Sequence, residues 1–223
     1  HDPATIIAAL RPNSLLIDIG STTTDIINCD RPQGLTDAER LQTGELVYTG
    51  YTRTPVPSVT TRAPLLGEWQ TLARDTFATM ADVRRVLGEI GEDEDLHDTA
   101  DGRGKSIAES LTRLSRGFGR DGDMRHLKGW QSAAAYIREE QLRSIHDGAI
   151  QLLTRPAAAT TGVITAGIGA TAGATIATRL GMPSQTFGDV ISAPTALQRA
   201  ATEHAAAVAV ALLAAQEKTA ATR

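Results

Sequence analysis

With 223 residues, 41% of them hydrophobic and 22% charged, the chain has the composition of a globular protein with material for one sizeable core, in one or two domains. A formal net charge of -4 argues against a broad nucleic-acid footprint, which needs clustered Lys and Arg, so any anionic ligand must be held locally. A single cysteine, Cys29, excludes an internal disulfide framework or an all-cysteine metal site and fits a reducing cytoplasm.

No apolar run reaches the ~18 residues of a membrane span, and no basic segment followed by an apolar one opens the chain. The first residue is His1 rather than Met, as expected of part of something longer. Pro3 to Leu10 reads as a short helix, stopped by Arg11, Pro12 and Asn13. Leu15 to Ile19 and Thr24 to Ile27 have the β-branched enrichment of buried strands. Between them lies a turn built almost wholly of oxygen-bearing side chains. Gly20 is expected to turn the backbone at positive φ, while Ser21, Thr22 and Thr23 offer hydroxyls beside backbone N–H groups, a concavity suited to phosphate oxygens. Asp18 and Asp25 bracket this turn. A carboxylate repels phosphate, so its useful place is on Mg²⁺, directly or through water. The plain alternative is a polar hairpin whose Asp and Thr side chains satisfy turn backbone. Cys29, just after the second strand, reads as a packed thiol.

Thr36 and Glu39 form a capping box for a helix to Thr43. Gly44 to Thr49 and Thr54 to Val59 then read as strands around Gly50, the second with Pro55 and Pro57 at an edge or bulge. Alternation in the first puts Glu45 and Val47 on one face, with Leu46 and a core Tyr48 on the other. Arg53 has the planar fork that grips carboxylate or phosphate; the alternative is a solvated arginine. Met80 to Ile90 is a helix with Asp82 in its first turn, where the dipole favours a carboxylate for structural reasons. Gly91 to Gly104 is an acidic loop ending in Asp101, Gly102 and Arg103.

Ile107 to Phe118 and Trp130 to Leu153 repeat apolar residues every three or four positions, the latter through Ala134, Ile137, Gln141, Ile145, Ala149 and Leu152, so these faces are core. Thr161 to Ala166 reads as a buried strand. Gly167 to Gly173 follows it and opens a small-residue helix to Leu180, with Gly181 as its stop. The third glycine of a dinucleotide fingerprint falls on Ala172, which weakens a nicotinamide reading. After a loop through Phe187, Gly188 and Asp189, Pro194 to Gln216 reads as one Ala-rich helix. The five histidines show no zinc-binding spacing, and no nucleophile elbow is present. The whole reads as one α/β domain with a helical insertion over roughly 80–157, the hairpin and the Gly167 turn facing one cleft.

From Leu16 to Ile26 the sequence resembles the second phosphate motif of the actin, sugar-kinase and heat-shock ATPase superfamily, in its hydantoinase A/oxoprolinase branch. The segments Thr36 to Leu41, Gly44 to Gly50, Arg53 to Val56, Phe77 to Val83 and Thr99 to Arg103 are similar to motifs of the tetrahydromethanopterin-linked one-carbon-transfer family, which includes a synthase of methanofuran biosynthesis. The resemblance runs on through Gly167 to the terminal helix. It implies a ribonuclease H-like α/β fold that lacks the first phosphate-loop strands at its N-terminus, with an unpaired edge and bare apolar surface near Leu15 to Ile19.

It further implies a transferase in which an aminomethylfuran diphosphate loses pyrophosphate as the phenol oxygen of a glutamyl-tyramine attacks its methylene carbon. By that resemblance Asp18, Glu45 and Arg53 are catalytic, Glu45 as base for the phenol. Gly20, Ser21, Thr22, Thr23, Arg103, Gly167 and Gly169 hold the phosphates, and Asp18 and Asp25 hold Mg²⁺. Two rivals stay open: an ATP-dependent amidohydrolase of the hydantoinase type, and a non-catalytic binding protein of the pathway. The implied partners are small-molecule diphosphate and phenol or amine substrates and a second copy of the chain, in the cytoplasm, without nucleic acid or membrane.

Overall fold

The computed structural model describes residues 2–156 and 159–221, and the chain divides into two compact units, His1–Tyr48 with Ile145–Arg223, and Thr49–Ser144. In chain order the first unit opens with α1 (Asp2–Leu10), β1 (Ser14–Ile19), β2 (Thr24–Asn28), α2 (Asp37–Thr43) and β3 (Leu46–Val47). The second contains α3 (Val56–Val59), β4 (Arg62–Leu65), β5 (Glu68–Thr71), α4 (Met80–Leu87), α5 (Ile107–Gly117) and most of α6 (Leu127–Leu153). The first unit resumes with β6 (Gly162–Ala166), α7 (Ala170–Arg179), β7 (Ser184–Thr186), α8 (Phe187–Val190), α9 (Gln198–Glu203) and α10 (Ala205–Ala221). The expected insertion limit at residue 157 lies outside the described residues. Among the described residues no helix is long and apolar enough to cross a membrane.

The first unit is a mixed five-stranded sheet in the order β3-β2-β1-β6-β7. β1 pairs antiparallel with β2, Asp18 opposite Asp25, and parallel with β6, Asp18 opposite Ala166. A central strand covered on both faces must be apolar almost throughout, and Leu15, Leu16, Ile17 and Ile19 are each 1% exposed or less. The bare edge expected at this strand is therefore not there: β1 is internal, with partners on either side. On one face Ile7, Leu16, Ile27, Ile164 and Phe187 form a cluster that also takes in Cys29, a packed thiol whose burial pushes its pKa up to about 12. Full burial of each large apolar side chain is worth about 1.5–3 kcal/mol.

In the second unit Met80, Val83, Val86, Leu111, Leu114 and Ile137 build the core. Charges are buried beside it in paired form. Arg84 lies 3.6 Å from the centre of the Tyr51 ring and donates to Tyr51 O, Glu89 and Gln141 Oε1 at 2.7–2.8 Å. Asp82 accepts from the Thr79 N–H at 3.1 Å and meets Arg113 at 2.8 Å, so its role is structural, as its first-turn place implies.

Several expectations are corrected. Thr54 to Val59 is not a strand: Pro57 has no N–H for a ladder and its φ suits a helical turn, so Val56–Val59 coils and only Pro55 keeps an isolated bridge to Thr79. The strand from Gly44 shrinks to Leu46–Val47, which leaves Tyr48 69% exposed rather than in the core. Met80 to Ile90 stops early, because Gly88 takes a left-handed φ of 75°. Phe187 to Asp189 is a short helix, with Thr186 and Asp189 as its capping box.

The Ala-rich stretch from Pro194 is also broken, by a 3-10 turn at Thr195–Leu197 and again at His204. The second break has a clear cause. The Thr202 carbonyl accepts the Gly167 N–H at 2.9 Å instead of continuing the helical ladder, and the Thr202 hydroxyl takes the Gly188 N–H at 3.0 Å.

Candidate phosphate and metal site

β1 and β6 run parallel and end together, so the turns that follow them lie side by side. The Gly169 N–H donates to Ile19 O at 2.9 Å, and a Cβ on Gly167 would fall 2.3 Å from that oxygen and 2.5 Å from Asp18 Oδ1. No side chain fits at Gly167, which also sits at a φ of 77°. Gly169 caps α7 at a φ of -96° that any residue adopts. The hairpin turn is tight, with the Gly20 N–H donating to Thr23 O at 3.0 Å. Gly20 does not take the positive φ expected of it; here the turn closes through residues 21–23, and a Cβ on Gly20 would stand 3.3 Å from Thr23 O. Ser21, Thr22 and Thr23 are half-buried, the first two hydroxyls 3.5 Å apart. Ends of parallel strands in open α/β sheets are where ligands bind.

Asp18 and Asp25 face each other across β1 and β2. Like charges directly opposed destabilise a strand pair unless a cation intervenes. Asp25 has one in Arg40 of α2, which also ion-pairs with Asp37 at 3.3 Å. Asp18 differs: among the described residues no hydrogen-bond donor reaches its carboxylate. Burial pushes its pKa up to about 6, against the pull of Arg40. A half-buried, donor-free carboxylate beside threonine hydroxyls is a fitting first ligand for a hard cation that keeps most of its waters. Among the described residues no three His, Cys, Asp or Glu side chains gather as a metal cage.

Glu45 belongs to the same unit but is closed off, at 0% exposure. It accepts from the N–H of Gln33 at 3.0 Å and of Gly34 at 2.7 Å, from Thr43 Oγ1 at 3.3 Å, and pairs with Arg155 at 3.3 Å. Its acceptors are spent on the loop between β2 and α2. Arg53 and Arg103 lie in the second unit, both exposed. Beside Arg103, Asp101 is fixed by Arg113 at 3.0 Å and Arg116 at 3.1 Å.

Sequence reasoning passed over Arg40 as a site residue. Its signal lay in the capping box, which fixes where α2 starts and hence which residue stands one turn in.

The hydantoinase/oxoprolinase family model matches residues 4–204. Among curated relatives, the (4-{4-[2-(gamma-L-glutamylamino)ethyl]phenoxymethyl}furan-2-yl)methanamine synthase of Methanocaldococcus jannaschii is 38% identical over 118 residues, 52% of this chain and 36% of the relative. The protein of the same name from Methanococcus vannielii is 36% identical over 107 residues, 47% of this chain and 48% of the relative. The chain thus spans half or less of the length of these relatives. With the match running from the first helix to the end of α9, and with the hairpin that carries Asp18 inside it, the chain belongs to the hydantoinase/oxoprolinase family.

Proposed function

We propose that the chain forms the phosphate- and metal-holding part of a synthase that joins an aminomethylfuran diphosphate to the phenol of a glutamyl-tyramine and releases pyrophosphate. The observation that supports this best is the donor-free Asp18 carboxylate set against Gly167, with the Ser21 to Thr23 turn beside it. The two relatives named as synthases of the phenoxymethylfuran amine support the choice of substrates.

In this reading the first unit is a ribonuclease H-like domain and Asp18 holds Mg²⁺, with Asp25 close behind it. The metal supplies charge neutralisation for the departing diphosphate. Ser21, Thr22, Thr23 and the Gly167 to Gly169 turn hold the phosphate oxygens, which lowers the cost of the charge that develops as the C–O bond breaks. We assign Glu45 to the frame of the site, because its carboxylate is consumed by backbone N–H groups and Arg155. We further propose a cytoplasmic, self-associating protein that binds small molecules rather than nucleic acid, and the net charge of -4 supports the last of these.

The test is steady-state release of pyrophosphate from the furan diphosphate with glutamyl-tyramine as acceptor, with and without Mg²⁺. Metal-dependent release that needs both substrates supports the proposal. The family match supports a second reading, an ATP-dependent amidohydrolase, in which the protein instead turns over nucleotide only with a cyclic amide present.

A further inference from the structure

We infer that Arg40 is a ligand-binding residue of this site, the fixed guanidinium that grips the diphosphate beside the metal on Asp18. The inference rests on the diphosphate reading above and adds to it a residue that neither the motif nor the names of the relatives assign.

Arg40 reaches the hairpin from α2, and its Nη2 meets Asp25 Oδ1, directly across the strand pair from Asp18. The side chain is only 14% exposed. An arginine this enclosed normally satisfies its donors, yet among the described residues no acceptor meets its buried Nε. Nη2 is held by Asp25 and Nη1 only by the exposed Asp37, at 3.3 Å, so an anionic oxygen that displaces Asp37 meets a guanidinium already anchored through Nη2.

The surroundings hold Arg40 in place. Gly34 packs so closely that a Cβ there would fall 2.5 Å from Arg40 Cγ and 2.7 Å from Arg40 N. Gly34 is in turn pinned by its N–H to Glu45 at 2.7 Å. Glu45, Gly34 and Asp25 are therefore a frame whose product is the position of one cation. The division of labour follows from the chemistry. Of the two facing carboxylates, Asp25 is committed to Arg40, while Asp18 stays free for a metal.

The test is calorimetric titration of inorganic pyrophosphate in Mg²⁺ on wild type, Arg40→Gln, Arg40→Lys and the double variant Asp25→Asn/Arg40→Gln, with thermal melting of each. The expected result is a loss of affinity of about 10- to 100-fold in Arg40→Gln. Arg40→Lys, which keeps the charge but not the fork, should fall between. The double variant should bind no more weakly than Arg40→Gln alone, because Asp25 acts through Arg40. Wild-type affinity in a folded Arg40→Gln would overturn the inference and leave Arg40 as a counter-ion of Asp25. If that variant does not fold, Arg40→Lys decides: undiminished affinity overturns the inference, and reduced affinity with an unchanged melting point supports it. Failure of wild type to bind pyrophosphate at all would overturn both the diphosphate reading and the role of Arg40.

Discussion

Asp18 and Asp25 stand opposite each other on neighbouring strands, yet among the described residues Arg40 meets Asp25 while no hydrogen-bond donor reaches Asp18. The asymmetry separates two carboxylates that a sequence shows as a matched pair. A metal on Asp25 would have to share its carboxylate with Arg40, whereas one on Asp18 would not.

Stability should respond to pH through Asp18. Its pKa is raised from 3.8 to about 6 by burial, so the folded protein keeps the proton to higher pH than the unfolded chain. The sign follows: this group costs nothing below about pH 4, and stability falls as the pH rises to about 6 and stays lower above. A gap of that size corresponds to about 3 kcal/mol at full ionisation. Asp18→Asn should therefore melt several degrees higher than wild type at pH 7.5, with the difference vanishing near pH 4. Melting curves from pH 4 to 8 decide it; a variant less stable at pH 7.5 would mean that Asp18 has a stabilising partner.

Gly167→Ala should be far more damaging than Gly20→Ala. At Gly167 a Cβ would meet Ile19 O at 2.3 Å and sits at a φ of 77°, whereas at Gly20 it would approach Thr23 O at 3.3 Å without positive φ. The left-handed conformation alone costs about 1–2 kcal/mol, and overpacking adds roughly 1–3 kcal/mol. Chemical denaturation of both variants checks the ranking, and equal midpoints would show that the Gly167 turn has room to relax.

Glu45→Ala should lose stability, by about 3–5 kcal/mol, since it leaves the N–H groups of Gln33 and Gly34 without their acceptor and Arg155 without its carboxylate, with only Thr43 O remaining to it. Glu45→Gln keeps the shape and should lose less. If Glu45→Gln instead melts like wild type but no longer turns over, the residue belongs to the chemistry rather than the frame.

The fold was legible where local chemistry agrees with the tertiary outcome. The hairpin around Gly20, the capping box at Thr36 and the core face of α6 follow from periodicity and capping, and Ala134, Ile137, Gln141, Ile145, Ala149 and Leu152 are all buried. What was not legible depended on distant partners. Thr202 breaks the Ala-rich helix because Gly167, far away in sequence, needs its carbonyl. The hairpin of β4 and β5 turns through Leu66 at a φ of 54° and Gly67 at 84°, a place where Asn-Gly would have announced itself and Leu-Gly does not. At the site, the Asp18 turn and the Gly167 turn could be paired in advance because each ends a buried strand. The closure of Glu45 could not be foreseen, since its partners come from the loop at Gln33 and from Arg155 beyond α6.

The most direct measurement is calorimetric titration of pyrophosphate, with and without Mg²⁺, on wild type, Asp18→Asn and Ser21→Ala. Wild type should bind tightly only with the metal. Ser21→Ala should lose the ~1.5–3 kcal/mol of one hydrogen bond to a charged group and keep its metal dependence, while Asp18→Asn should keep the fold and lose most of that dependence. Equal Mg²⁺-dependent affinity in wild type and Asp18→Asn would contradict the central claim and leave Asp18 as a turn residue.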